Sequence, residues 1–311
     1  MKPSNNRPIL PAKPERHRRF GSTDPIPGNK PTTKEQMADL QNSRENYLFP
    51  IDHVGISAVK HPIQVHSDLE TRLQTSIVTI SLATSLHRES KGINMSRLTE
   101  QLERYRQKSW SAELPELIEF AQELANDMGQ DRSELTMTFP WFYERSAPVT
   151  GRTGLSHAEA SIQISYEKEK QPTITLGLRV AVTTLCPCSK EISEYSAHNQ
   201  RGTISITAEV NPDPDAYFVQ DWKTAFLEAA ESNASCALHP ILKRPDEKAV
   251  TENAYENPRF VEDMVRLVAA DLYEMNAVWA FTVECRNEES IHLHDAVAKI
   301  TYDKRKEEAA T

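Results

Sequence analysis

Residues 76–107 read SIVTISLATSLHRESKGINMSRLTEQLERYRQ, and the reading of this stretch decides the fold. Its first part, SIVTISLAT over Ser76–Thr84, is rich in β-branched residues and predicts a strand. Asn94 then stands as an N-cap before a helix over Met95–Gln107. Working outward, a shorter strand at His61–His66 precedes this unit. A second helix at Glu113–Met128 follows it, then strands near Glu134–Phe139 and Ala158–Tyr166. The same order returns downstream. Strands at Thr173–Thr183 and Gly202–Val210 lead to helices at Phe218–Glu231 and Pro258–Glu274, then to strands at Val278–Arg286 and Asp295–Tyr302. Each half therefore reads β-β-α-α-β-β. Hairpin, helix pair and hairpin predict an α+β chain with antiparallel sheets and helices on one face. The halves share element order but no obvious residue identity. The expected organisation is a tail over 1–47, a first half over 48–168, a second half over 169–305 carrying most of the chemistry, and a charged end over 306–311.

Composition narrows the function. The chain has 311 residues and a formal charge of −9. Residues 1–47 hold nine Lys/Arg against five Asp/Glu, leaving 27 against 40, or −13, for the rest. That balance argues against a nucleic-acid partner, because neutralising phosphates needs concentrated cations. No run of 18 apolar residues exists to span a membrane, and the first residues lack the apolar region of a secretory signal. Four cysteines in a chain this long are not a disulfide framework, and a reducing, cytoplasmic setting is expected. Only nine glycines occur, and neither G-x-G-x-x-G nor G-x-x-x-x-G-K-[ST] is present. Seven of the nineteen prolines fall in residues 1–47, which read as a disordered or loosely attached tail.

Four segments concentrate the chemistry. The first, LCPCSKEISEYSAHNQR over Leu185–Arg201, reads as a long ordered loop between two strands, and such loops are usually functional. Cys186 and Cys188 sit two apart, so an extended backbone would point both sulfurs the same way. His198 follows twelve residues after Cys186, enough chain to fold back onto it. The spacing is not that of a zinc finger; three protein ligands and an open position would instead make a catalytic centre. Cys236 and Cys285 lie in element-like sequence and read as buried thiols. The second segment, His239–Lys248, mixes three cations with two carboxylates; a solvated charge run is its plain alternative. In the third, Asn257 as N-cap and Pro258 at the first helical position predict a helix start, which by itself accounts for Glu262 and Asp263 through the helix dipole. The fourth, ESIHLH, sets His292 and His294 two apart at the entry of a strand, projecting to one face.

Together these segments resemble the prokaryotic GTP cyclohydrolase IB family of the bimodular tunnelling fold. CPCSKEISEYSAHNQR, LKRPDEKAVTENAYENPRFVED and ESIHLH look like that family's signatures in that family's order. FPIDHVGI, KGINMSR and TFPWFYERSAPVTG agree in the first half. The resemblance covers about residues 48–302. It implies one divalent metal, Zn, Mn or Fe, on Cys186, His198 and Glu247, and no organic cofactor. It implies Glu262 as the anchor for guanine N–H groups, and His292 and His294, with Cys186, as catalytic groups. It further implies GTP as substrate, with formate and 7,8-dihydroneopterin triphosphate as products feeding folate-type pterins or deazapurines. A barrel-like homotetramer with pockets completed by neighbouring chains is also implied. Two positions depart from the family pattern: Asn94 stands where histidine is expected and Ser196 where glycine is expected. Arg201, Lys243, Arg244 and Lys248 are candidates for the triphosphate by charge alone. The competing expectations are another tunnelling-fold pterin or deazapurine enzyme, which would not release formate from GTP, and a non-enzymatic zinc protein, which would fill its fourth ligand position.

Overall fold

A computed structural model of the chain describes residues 10–213 and 221–308. It separates into a unit of residues 1–40 and a unit of residues 41–311. In the first, α1 (Lys13–Arg19) and a 3₁₀ turn (Lys34–Gln36) bury no residue.

The second unit is built on long strands. β1 (Ile51–His66), β2 (Leu73–Leu86), β3 (Arg132–Ser146) and β4 (Thr153–Glu167) pair antiparallel in sequence order. β5 (Thr173–Leu185) joins β4, and β6 (Asn199–Val210), β8 (Val278–Glu288) and β9 (Ala296–Asp303) continue the sheet. A two-residue strand, β7 (Cys236–Ala237), pairs beside β5. Among the described residues the result is one nine-stranded antiparallel sheet. The two β-β-α-α-β-β halves thus meet edge to edge across β4 and β5.

One face of that sheet is covered and the other is open. In β3 the residues Ser133, Leu135, Met137, Phe139, Trp141 and Tyr143 alternate into the buried face, which is the period-2 pattern of a strand with one dry side. α2 (Met95–Gln107), α3 (Leu114–Met128), α5 (Trp222–Ser232) and α7 (Val261–Glu274) cover this face. α3 does so with Leu117, Phe120, Ala121 and Leu124 at helical spacing, and Gly129 at φ +63° stops it in the left-handed conformation that glycine adopts without strain. Three further pieces interrupt the second half's simple order: α4 (Pro187–Ile192), β7 and α6 (Arg244–Glu256).

Several sequence boundaries shift. β1 begins ten residues earlier than the expected His61, because residues 51–60 pair with β2 through two register shifts and show no clean alternation that a sequence would reveal. The helix expected over Phe218–Glu231 is described from Trp222, and its expected start lies outside the described residues. Asn94 does precede α2, without a side-chain capping bond. Among the described residues no helix is long and apolar enough to cross a membrane.

Candidate active site at the ends of β5, β6 and β8

The segment expected as a loop at 185–201 instead contains α4. Pro187 has its φ preset for the first helical position, and the Cys186 sulfur caps the helix by accepting from Ser189 N–H at 3.4 Å. This overturns the picture of two sulfurs on one extended face. Cys186 is half-buried just before the helix, whereas Cys188 lies within it and is exposed.

The backbone return to His198, for which the spacing leaves enough chain, is made. Cys186 N–H donates to the His198 carbonyl at 3.1 Å, closing the β5–β6 turn. Ser189 ties the two together: its Oγ donates to the Cys186 carbonyl and accepts from His198 N–H, each at 3.2 Å. Leu185, the last residue of β5, is held by Ser235 Oγ on its N–H and by Arg259 N–H on its carbonyl, both at 3.0 Å. The His198 ring is mostly buried, with Nδ1 at 3.0 Å from Gln200 Oε1, 3.3 Å from Ser290 Oγ and 4.0 Å from a Glu289 carboxylate oxygen.

The β8–β9 turn therefore packs on His198, and it carries the H-x-H pair. His292 and His294 are exposed in this turn rather than in a strand, with rings stacked at 4.9 Å and 13°. β8 ends nearby with buried Cys285 and Asn287. The Cys285 thiol is pushed up to about 12 by burial first, then by the neighbouring Glu262 and Glu284 carboxylates. Glu262 thus belongs to the same end of the sheet. Its helix, α7, starts at Val261 and not at Pro258. Asn257 ends α6 instead, and the Asp263 carboxylate accepts from Phe260 N–H at 2.9 Å to open α7. Arg259 N–H donates to the Leu185 carbonyl and so ties the 257–260 link between the two helices to the end of β5.

The cluster at 239–248 is partly helical, since α6 begins at Arg244 with Pro245, Asp246 and Glu247 in its first turn. Asp246 faces inward. It is fully buried and accepts from Val149 N–H, Thr150 N–H, Thr150 Oγ1 and Lys243 N–H at 2.7–2.9 Å. Glu247, about 100° further round the helix, is exposed. Among the described residues no group of three His, Cys, Asp or Glu side chains stands close enough to hold a metal. The chain brings Cys186 and His198 together and leaves Glu247 apart from them. A thiolate with an imidazole is donor chemistry that a borderline-soft divalent ion takes.

Those four bonds hold the Asp246 carboxyl well below the usual range despite its burial. Stability from such a depressed group is present above the unfolded value, about 3.9, and is lost as pH falls through the folded one. Asp246→Asn should therefore unfold at lower temperature than the wild type at neutral pH, with a deficit that shrinks below about pH 4. Calorimetric melts across pH check this, and a deficit unchanged down to acid would show that the charge is not the stabilising element.

A cavity of 790 Å³ lies elsewhere, on the open face of the sheet, where Lys60, His157, Arg179, Arg201 and His239 line it. Arg201 points there, away from the Cys186–His198 pair. Lys248 pairs with Glu252 on α6. Ser196 adopts φ +93°, in the left-handed region, which gives a physical reason for a glycine at that place. The sequence reading passed over Ser189, Gln200, Ser235 and Asp246. All are small or neutral polar residues or sit beside a more conspicuous charge, and only their position relative to His198 and Glu247 marks them.

The fold has solved counterparts. The uricase from Arthrobacter globiformis matches with a TM-score of 0.53 at 7% identity, covering 81% of this chain and 93% of that one. A hyper-thermostable mutant of the same enzyme matches equally, over 91% of its length. At such identity the fold alone is shared, and it makes this chain a tunnelling-fold protein. A family profile described as "Type I GTP cyclohydrolase folE2" matches residues 37–298. GTP cyclohydrolase FolE2 of Bacillus licheniformis is 57% identical over 295 residues, covering 95% of this chain and 98% of that protein. The FolE2 proteins of an Exiguobacterium strain and of Bacillus subtilis are 58% and 52% identical, over 98% and 96% of this chain and 99% and 98% of theirs. The chain belongs to the type I GTP cyclohydrolase FolE2 family.

Proposed function

We propose that this chain, as a cyclohydrolase of the IB subtype, opens the imidazole ring of GTP by hydrolysis, releasing formate and leaving 7,8-dihydroneopterin triphosphate for folate-type pterin synthesis. The observation that carries the reading is the closure of Cys186 onto His198 in a chain of this family. Cys186, His198 and Glu247 would hold one divalent ion, Zn, Mn or Fe. Such an ion supplies a nucleophilic water near neutral pH. Cys186 would serve as thiolate, the donor that most favours a soft or borderline ion. His292 and His294 sit on the turn that packs against His198, where an imidazole can pass protons to the opening ring and the leaving amine. Release of formate from GTP, assayed across Zn²⁺, Mn²⁺ and Fe²⁺, tests the reading; no formate with any of them refutes it.

Glu262 would anchor the purine. A carboxylate accepts from two guanine N–H groups, whereas an amide offers one acceptor and one donor. Glu262→Gln is expected to leave fold and metal content unchanged while weakening GTP binding by roughly 10- to 100-fold, the loss of about one charged hydrogen bond. Calorimetry with GTP decides, and an unchanged affinity would place the anchor elsewhere.

Assembly follows from the sheet. Among the described residues the outer strands β1 and β9 each have one edge without a partner strand, and sheets dispose of such edges by pairing or covering them. Around the site Ile192, Tyr195, Ile291 and Leu293 stand exposed, an apolar rim suited to a second copy. A homotetramer is expected by sedimentation, with activity falling on dilution. Full activity in a nanomolar monomer would exclude it.

A further inference from the structure

Gln200 lies on β6, His198 immediately precedes that strand, and the two side chains meet. Gln200 is only 7% exposed. Its register partner on β5 is Thr184, which is fully buried. Gln200 Nε2 donates to Thr184 Oγ1 at 2.9 Å, and this leaves Oε1 to face His198 Nδ1 at 3.0 Å. Two further oxygens approach the same ring nitrogen, Ser290 Oγ at 3.3 Å and the Glu289 carboxylate at 4.0 Å. An ionised carboxylate can only accept, so the surroundings of Nδ1 call for a proton on that nitrogen. In a neutral imidazole the lone pair then sits on Nε2.

We infer that Gln200 is a positioning residue that holds the His198 imidazole in its Nδ1–H form, so that Nε2 is the nitrogen offered to the divalent ion. The inference rests on the reading of His198 as a ligand. Burying an amide is costly unless both its ends are bonded, and here both are; a side chain present only for packing would be apolar. Ligating histidines depend on such an acceptor for ring orientation and basicity, and its removal costs about 10- to 100-fold in metal affinity.

The test uses full-length wild type, Gln200→Met and Gln200→Glu, each with ¹⁵N-labelled histidine. Long-range ¹H–¹⁵N spectra of the metal-free proteins, taken at alkaline pH, report the tautomer, and Zn²⁺ titration against a chromophoric chelator reports affinity. Expected are an Nδ1–H ring in the wild type, loss of that preference in Gln200→Met, and Zn²⁺ binding about 10- to 100-fold weaker there. Gln200→Glu keeps an acceptor for Nδ1–H and can accept a hydrogen bond from the Thr184 hydroxyl, so it should retain both tautomer and affinity, an outcome that mere packing does not predict. An Nε2–H ring in the wild type overturns the inference, as does wild-type affinity in Gln200→Met. If Gln200→Met does not fold, the wild-type tautomer and the behaviour of Gln200→Glu still decide. His198→Ala separates the two levels. Undiminished Zn²⁺ binding there, with the Nδ1–H signature intact in the wild type, shows that the ligand reading has failed and removes the inference with it.

Discussion

Cys186→Ala is expected to reduce GTP turnover by at least about a thousandfold, equivalent to roughly 4 kcal/mol of transition-state stabilisation. Cys186 is the cysteine whose N–H meets the His198 carbonyl, and the other three are placed differently. Cys236 and Cys285 are buried in strands, and Cys188 is exposed on α4. Alanine keeps the backbone N–H that donates to the His198 carbonyl, so the turn should survive while its sulfur is lost. Only the weak cap from Ser189 N–H to sulfur disappears with it. Metal affinity should fall in parallel, and Cys188→Ala should be much milder in both respects. Formate release and metal titration on the two variants check this. Equal activity of Cys186→Ala and wild type, with metal retained, would remove Cys186 from the site.

The largest effect expected on stability is at Glu231. This α5 carboxylate pairs with Arg145 of β3 across the sheet–helix interface, and the two side chains are only 10% and 21% exposed. Tyr143 O–H also donates to Glu231 at 3.5 Å, and the Arg145 guanidinium lies 5.4 Å from the Tyr143 ring centre. Removing one member of a buried pair leaves the other charge without compensation, which costs about 3–5 kcal/mol. Glu231→Ala should therefore lower stability by about that amount. The double variant Arg145→Met/Glu231→Leu should recover most of it, because apolar groups of similar volume replace buried pairs at little or no net cost. Denaturant unfolding of the single and double variants checks this. A double variant as unstable as the single one would show that packing, not charge, holds β3 to α5.

How far the sequence could be read differs from element to element. α3 was readable because its apolar residues recur at helical spacing over fifteen positions and a glycine ends it. The first ten residues of β1 were not, because both sides of that stretch are partly exposed and its pairing slips twice. The start of α7 was misplaced for an instructive reason. Asn257 and Pro258 make a good local helix start, but Asn257 is taken up as the end of α6, and the Asp263 carboxylate on Phe260 N–H opens the next helix only at Val261.

The same division runs through the site. Alternation and turn chemistry in the sequence were enough for the α+β order of elements, and the Cys186–His198 separation left enough chain for the two to meet, because a return between adjacent antiparallel strands is a local event. The family resemblance, now carried by 52–58% identity over nearly the whole chain, also lay in short local motifs. What only the tertiary structure decided is the set of neighbours that come from far along the chain. Asp246 rather than Glu247 turns inward because the β3–β4 hairpin presents three donors to it. Gln200 meets His198 and Thr184 together because the β5–β6 register places it opposite one and two residues from the other. The Arg201 side chain serves the open face and not the Cys186–His198 turn, because strand alternation sends it to the side opposite Gln200. A sequence carries residue type and local period; which side chain faces which, across strands and helices distant in the chain, is settled by packing and by the need to satisfy every buried polar group.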